Sequence, residues 1–282
     1  ACGSTGSTSC CVLSGSSRNC QAQITFMGIP NVVTGGVVGP VLSNTVGTSP
    51  LNAIPPHNLQ AGTNRMVLVL VASETEGQGN LTASRPDRVT YGGVTMLVGP
   101  ENSGTDHWSP GIFTYYLTDA SGLSGTGNKN ISVEGNLPAG PNTGSPQIMI
   151  AHAIQLNGVR QNSPLTPFEG SFGDPDTLAN NLPVAVAGSR IYSFVARDWG
   201  NAPTNSLMPT PSGVTITQTL PSVELNGGNT ILGAAGAYIS GNTAALLPIL
   251  ASPDPLEYTV TWTSTGSTAF NHLMFVILPA SQ

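Results

Sequence analysis

Short apolar runs of strand length, separated by glycine, proline and asparagine, recur along the chain and limit what it can fold into. Residues 88–98 and 111–117 show this most clearly, because both are rich in the β-branched and aromatic residues that suit a half-buried pleated surface. Gly92 and Gly93 interrupt the first run and permit a tight turn or a bulge. The loop between the runs is polar and contains proline, which is typical of strand ends. We therefore expect two antiparallel strands near the centre of a sheet.

The other apolar runs predict strands that can be arranged around these two. Arg65 is followed by a continuous apolar run, residues 66–72, as expected for a strand covered on both faces. Further runs of strand length lie at residues 147–156, 190–196, 214–220, 231–239, 258–263 and 270–278. No convincing amphipathic helix lies between them, so the pattern predicts an all-β fold, a single antiparallel β-sandwich. We expect its core to include Val67, Leu68, Val69, Leu70, Tyr115, Ile150, Ile154, Phe194, Val260 and Val276.

The chain carries unusually little charge. Charged residues make up 8% of its 282 residues, against about 25% in an average domain. The net charge of −6 argues against a nucleic-acid partner, because nucleic acids are bound by basic patches. No apolar run reaches the roughly 20 residues of a membrane helix, so we expect no membrane span. A polar but uncharged surface gives little repulsion between copies, which favours ordered self-association.

All four cysteines lie within the first twenty residues, at Cys2, Cys10, Cys11 and Cys20. An even number of cysteines in a Ser/Gly-rich segment predicts two disulfides and an oxidising compartment. Because Cys10 and Cys11 are adjacent, we expect their partners to be Cys2 and Cys20. A zinc site is the alternative, although the segment has no C-x-x-C pair. The chain begins at Ala1 without a leader, so we expect the mature form of a protein secreted to the extracellular space or cell surface.

An arm follows this Cys-rich head. Residues 24–38 contain short apolar pieces interrupted by Gly28, Pro30 and Gly35-Gly36, which spoil a regular internal strand. The apolar side chains that need burial are Ile24, Phe26, Met27, Ile29, Val32 and Val33. We expect the arm to pair with an exposed edge strand of a neighbouring copy, since such an edge can accept another chain. An arm folded onto its own chain is the alternative.

These boundaries divide the chain into three predicted parts. Residues 1–22 form the disulfide-stapled head, residues 23–60 the extended arm and a loop, and residues 61–282 the β-sandwich domain.

Several motifs resemble those of a family of secreted bacterial β-sandwich domains, found in large surface and extracellular proteins. The shared pattern is an arginine-led apolar strand (residues 65–72), V-T-Y-G-G (residues 89–93), Tyr115-Tyr116-Leu117, L-x-G-V-x-Q-x-x-P (residues 156–164) and a final strand before Pro279-Ala280. The resemblance covers about residues 60–280. It implies a jelly-roll-like sandwich with a structural, adhesive or sugar-binding role.

Nothing in the sequence indicates an active site, and we expect neither catalysis nor a cofactor. Asp106-His107 and the many serines lack the Gly-x-Ser-x-Gly elbow of a hydrolase. His152 and His272 lie within apolar strands, so we expect hydrogen-bonded core histidines. Asp198 and Trp199 end a strand in a polar loop, where a tryptophan could stack on a sugar ring and a carboxylate could accept its hydroxyl hydrogens.

Two functions follow from these features. The first is a self-assembling structural protein, the subunit of an extracellular filament or surface layer whose partners are other copies of itself. The second is a carbohydrate-binding module or adhesin domain.

Overall fold

A computed structural model describes fifteen stretches of the chain. They are residues 11–14, 17–20, 25–26, 37–38, 56–75, 85–103, 110–135, 147–173, 177–184, 189–198, 204–207, 214–226, 231–241, 256–263 and 269–280. Within these stretches the structure contains β-strands and one short 3-10 helix, Asp119–Ser121, but no α-helix. Every strand pair in them is antiparallel. The prediction of an all-β, antiparallel fold is confirmed.

The strands are numbered in chain order. Those of the first half are β1 (Cys11–Ser14), β2 (Ser17–Cys20), β3 (Thr25–Phe26), β4 (Val37–Val38), β5 (His57–Leu59), β6 (Met66–Thr75), β7 (Pro86–Tyr91), β8 (Val94–Thr95), β9 (Leu97–Asn102), β10 (Gly111–Thr118), β11 (Gly127–Lys129), β12 (Ile131–Gly135) and β13 (Gln147–Asn157). Those of the second half are β14 (Leu165–Gly173), β15 (Thr177–Val184), β16 (Arg190–Asp198), β17 (Thr204–Leu207), β18 (Val214–Asn226), β19 (Ile231–Gly241), β20 (Leu256–Thr263) and β21 (Ala269–Ile277).

Two large sheets dominate the structure. The first main sheet has the order β3-β13-β6-β10-β9, with β4 also paired to β13. The second main sheet has the order β14-β21-β16-β19-β18. Smaller sheets are formed by β12-β7-β8, β11-β5, β15-β20-β17 and the hairpin β1-β2.

The same strand order occurs twice. Numbered by their place in the chain, β6, β9, β10 and β13 lie in the order 4-1-3-2 across the first main sheet. The strands β16, β18, β19 and β21 lie in the same order across the second. Each set also has a flanking antiparallel pair, β7 with β12 and β17 with β20, at matching points in the chain. The two halves of the chain therefore share one topology.

Strand β6 is buried on both faces, as its continuous apolar run predicts. Met66, Leu68, Leu70 and Ala72 face a cluster shared by the two main sheets, which we call the inter-sheet core. The second sheet contributes Tyr192, Phe194, Ala196, Leu273, Phe275 and Ile277 to this core. On the opposite face of β6, Val67, Val69 and Val71 join an outer core with residues of β7, β12 and β5, including Val89, Tyr91, Ile131, Val133 and Leu59. All ten residues that we expected in the core are buried.

The prediction that residues 88–98 and 111–117 form two antiparallel strands near the centre of a sheet is wrong in part. Residues 111–117 lie in β10, between β6 and β9 in the first main sheet. The V-T-Y stretch instead lies in β7, which pairs with β8 and β12 in a separate sheet. The reason is the turn at Gly92 and Gly93, whose φ angles of 57° and 83° fold β8 straight back on β7. Of β7, β8 and β9, only β9 forms a strand ladder with β10.

Arg65 fixes the beginning of β6. Its Nε donates to Asp119 Oδ1 over 2.9 Å, and its backbone N–H donates to Oδ2 of the same carboxylate over 2.8 Å. Its Nη1 also donates to the carbonyl of Gly125 over 2.6 Å. The bridge ties the start of β6 to the 3-10 turn that follows β10.

The two halves of the chain meet again where β13 and β21 end. Val159 and Pro279 form an isolated antiparallel bridge. It is flanked by hydrogen bonds from Arg160 N to Leu278 O and from Ala280 N to Gly158 O, of 2.9 and 2.8 Å. The L-x-G-V-x-Q-x-x-P segment therefore has a structural role in joining the halves.

We predict that Leu68→Ala lowers the free energy of unfolding by about 2–5 kcal/mol, because it leaves a cavity in the inter-sheet core. Val98→Ala, at a side chain that is 50% exposed, should change it by less than about 0.5 kcal/mol. Urea unfolding followed by circular dichroism measures both. Equal losses in the two variants would contradict the assignment of Leu68 to the core.

Candidate functional site

The described parts of the arm lie on the edge of the first main sheet, against β13 of their own chain. In β3, Phe26 pairs with Leu156 and Thr25 with Asn157. In β4, Val38 pairs with Met149 and Val37 with Ile150. The other predicted arm residues, Ile24, Met27, Ile29, Val32 and Val33, lie outside the described residues. Pairing with a neighbouring copy stays a prediction.

This edge is only partly covered by the described pieces of the arm. Each piece contributes two ladder residues, one piece near each end of the eleven-residue strand β13. Within the described ranges, residues 151–155 of β13 have no strand partner on the arm side. The other side of β13 is fully paired with β6. The described pieces of the arm are thus bound to the sheet by two short ladders, one near each end of β13.

The opposite edge of the first main sheet is β9, which begins with two exposed apolar residues and ends with Glu101 and Asn102. Among the described residues, the exposed large hydrophobic side chains are Val94, Leu97, Val98 and Phe168, which are 38, 46, 50 and 51% exposed. Leu97 and Val98 are the first two residues of β9, and Val94 precedes them in β8. Phe168 lies in β14, the edge strand of the second main sheet, which contacts β9.

Asparagine side chains fix β9 to the second main sheet. Asn102 Nδ2 donates to the carbonyls of Ser171 and His272, over 3.1 and 3.2 Å. Asn271 Nδ2 donates to the carbonyls of Asn102 and Pro110, over 2.9 and 2.8 Å. The two sheet edges are therefore held in register with each other, although nothing in the sequence pattern identified these asparagines.

The head contains a hairpin that brings two of the predicted disulfide cysteines together. In the β1-β2 ladder, Cys11 lies directly opposite Cys20, and Ser14 opposite Ser17. Cys2 and Cys10 lie outside the described residues. The register therefore places Cys11 and Cys20 at matching positions on neighbouring strands.

A polar groove of about 560 Å³ lies where β6 begins and β13 ends, lined by Asn64, Arg160, Gln161, Asn162, Ser163 and Ala280. Asn64 and Ser163 have φ angles of 50° and 48° and are the non-glycine residues in the left-handed region within the described ranges. Gln161 is held from within, since its Nε2 donates to Val159 O over 2.8 Å and its Oε1 accepts from Ala120 N over 3.1 Å. The exposed guanidinium and amides of this groove could hydrogen-bond a polar ligand.

The predicted ligand pair is not brought into this groove by any described contact. Asp198 is the last residue of β16, where its backbone pairs with Leu232 and Ala269. Trp199 lies outside the described residues. The sugar-binding role of this loop stays a prediction.

Two buried histidines, His57 and His152, lie in β5 and β13. His57 Nδ1 is 2.7 Å from the hydroxyl oxygen of Tyr91, and burial lowers the pKa of His57 to about 4. Burial, with a smaller contribution from the charge of His57, lowers the pKa of His152 to about 3. His152 is buried as expected, but neither ring nitrogen has a hydrogen-bond partner among the described residues. The expectation of a hydrogen bond is therefore wrong for His152.

The third buried histidine does make the expected hydrogen bond. His272 Nε2 and Ser193 Oγ are 2.8 Å apart, and Trp262 Nε1 donates to the same Oγ over 2.8 Å. All three residues are fully buried, and burial lowers the pKa of His272 to about 3. This serine–histidine pair has no exposed surface, so it serves to connect β16, β20 and β21.

No protein-family model, curated protein or solved structure matches this chain. The resemblance to secreted bacterial β-sandwich domains thus stays a prediction. Among the residues that the structure describes, no group of three or more His, Cys, Asp or Glu side chains could hold a metal ion. A search of the same residues finds no helix of the length and hydropathy needed to span a membrane.

We predict that the fold loses stability as the pH falls from about 6.5 towards 4. Below pH 6.5 histidines of the unfolded chain take up protons, whereas His57, His152 and His272 stay neutral in the fold down to about pH 3–4. The unfolded state then binds more protons, so the free energy of unfolding decreases with falling pH and is highest above pH 6.5. His152→Leu should reduce this decrease and raise stability at pH 7, because it removes a buried ring that has no hydrogen-bond partner among the described residues.

His272→Leu is the matched comparison, since it breaks the bond to Ser193 and should destabilise the protein at pH 7. Urea unfolding between pH 4 and pH 8 separates the two variants. Equal destabilisation at pH 7 would contradict the different surroundings assigned to His152 and His272.

Proposed function

We propose that this chain is a secreted structural protein that assembles into an extracellular filament or surface layer, its N-terminal arm adding as a strand to a sheet of a neighbouring copy. The main sheets would form a jelly-roll-like sandwich that carries the head and the arm. The proposal is carried by one observation, that the arm pairs with an edge of the first main sheet through two short ladders.

Strand exchange between copies is energetically inexpensive in this arrangement. An arm that adds to an edge strand of another copy makes backbone hydrogen bonds of the same kind as those in its own ladders, so this type of bond does not by itself favour either place. The balance is then set by concentration and by the length of chain between arm and sheet. Within the described ranges, residues 151–155 of β13 have no strand partner on the arm side, so a longer or better aligned strand could make further hydrogen bonds there.

The amino-acid composition also supports assembly. Only 8% of the residues are charged, so copies approach one another with little electrostatic repulsion. The small polar side chains that replace charge lose little conformational entropy when they are ordered in a contact. These properties lower the cost of packing many copies side by side.

The head is proposed to be stapled by the disulfides Cys11–Cys20 and Cys2–Cys10. The ladder leaves two residues between Ser14 and Ser17, so that pair closes a two-residue turn with paired backbone hydrogen bonds. Alternation along an antiparallel ladder then makes Cys11 and Cys20 a non-hydrogen-bonded pair, with Cα atoms about 4.5 Å apart. That spacing is within the range that a disulfide spans.

We predict that mass spectrometry of unreduced, protease-digested protein finds Cys11 linked to Cys20 and Cys2 linked to Cys10. The head segment contains Arg18 but no cleavage site between Cys10 and Cys11, so fragmentation of the linked peptide is needed to assign the pairs. Four free thiols, or a Cys10–Cys20 link, would contradict the assignment.

We predict that deletion of residues 1–38 yields a folded protein that no longer assembles. Deletion of residues 1–22 is the matched control, because it removes the head but keeps the arm and should preserve assembly. Light scattering and negative-stain microscopy report assembly, and circular dichroism reports the fold.

Filaments of unchanged appearance after deletion of residues 1–38 would contradict the role of the arm. Full-length protein that stays dispersed would contradict the structural function itself. That outcome would favour the alternative, a carbohydrate-binding module or adhesin, for which the groove around Arg160 and Asn162 provides polar groups suited to sugar hydroxyls.

A further inference from the structure

We propose that the edge formed by β9 and the neighbouring part of β14 is the surface that receives the arm of the next copy. The inference rests on the proposed function and adds to it the position of the receiving strand. The partner is a second copy of this chain, and the segment that binds is residues 24–38.

The first main sheet has an arm at one edge and an open strand at the other. Its order places β3 and β4 beyond β13 on one side and β9 beyond β10 on the other. In the part of the chain that the structure describes, no strand pairs with the outer side of β9. An unpaired edge presents backbone N–H and C=O groups that a strand from another chain can complete.

The chemistry of this edge matches an apolar strand. Val94, Leu97, Val98 and Phe168 are the exposed large hydrophobic side chains of the described residues, and they lie on β8, β9 and β14. Charged side chains are the usual protection of an edge strand against pairing. Residues 94–100 carry no charge, and the one charged residue of β9, Glu101, lies beyond them and forms an ion pair with Arg85 over 3.3 Å. The arm supplies the matching apolar residues, including Ile24, Phe26 and Ile29.

The receiving edge is rigid before any partner binds. Asn102 and Asn271 fix the far end of β9 to β14 and β21 by hydrogen bonds of 2.8–3.2 Å. Thr114 Oγ1 donates to the carbonyl of Pro100 over 2.5 Å and holds the middle of the strand. A surface already held in its binding geometry loses little entropy on binding.

Pro100 limits the length of the new ladder. It has no N–H to donate, so continuous pairing on β9 is confined to its first residues, 97–99. A short receiving ladder suits the arm, whose described strands are two residues long. Most of the contact then comes from the side chains of Leu97, Val98 and Phe168 and less from the backbone.

Strand directions determine the kind of assembly. Both β3 and β9 run parallel to β6, since each is separated from it by one antiparallel partner. Copies related by translation would therefore place the arm of one copy parallel to β9 of the next and continue one sheet through both. Such a contact joins different surfaces and does not close, so it produces a filament. Pairing of β9 with β9 would be antiparallel and would stop at a dimer.

The test uses two separate variants, Val98→Lys and Leu97→Lys, each of which introduces one lysine at the receiving edge. Asn128→Lys is the control, because it adds the same charge to an exposed position of β11 in another sheet. We expect the edge variants to remain folded and to assemble only at a concentration at least about tenfold higher than wild type, a change of about 1.4 kcal/mol. Asn128→Lys should assemble like wild type.

A photo-crosslinking group at position 98 locates the partner directly. In mixed ¹⁴N- and ¹⁵N-labelled assemblies, we expect it to attach to residues 21–38 of a different copy. Attachment to residues 97–102 of another copy, or no link between copies, would overturn the inference. Edge variants that assemble normally would also overturn it, and the proposed function would stand if the 1–38 deletion still prevented assembly. Wild-type protein that never assembles would overturn both.

Discussion

Burial of β6 on both faces is the constraint on which the rest of the structure depends. A strand with apolar side chains on each face requires a layer above and a layer below, because neither face can be left to water. Leu68 and Leu70 face the second main sheet, and Val67 and Val69 face the small sheets of the outer core. The flanking strands β10 and β13 are brought to fixed registers beside β6. The outer strands of this sheet, β9 beside β10 and β3 and β4 beside β13, are therefore positioned through β6.

The sequence predicts the centre of the fold better than its edges. Continuous or alternating apolar runs identify strands and core residues, since burial depends mainly on local pattern. Whether β7 or β9 pairs with β10 depends on long-range packing after the Gly92-Gly93 turn, which no local pattern encodes. The repeated strand order is equally hidden, because β9 and β18 differ in sequence and length. The neighbours that surround His152 and the hydrogen-bond partners of Asn102 come from more than 60 residues away in the chain.

Several polar side chains of the two main sheets are buried, whereas the β9 edge of the first main sheet is exposed in part. Three polar residues of the apolar strands, His152, His272 and Ser193, have no exposed surface. The neutral, desolvated rings of the two histidines contribute to a pH-dependent stability. What the described surface presents to a partner is an apolar strand on one side of the sheet and a weakly paired arm on the other. Among the described residues the two edges of this sheet differ, which supports the proposed repeating contacts between copies.

In the proposed assembly one sheet continues from copy to copy. A helical reconstruction of the assembled protein by electron cryo-microscopy, at a resolution that separates strands about 4.8 Å apart, tests it most directly. We expect β9 of each copy to lie beside the arm of the next, with the two strands parallel and Val98 covered at the junction. Copies that touch only through loops or sheet faces, with no strand from another copy beside β9, would contradict it.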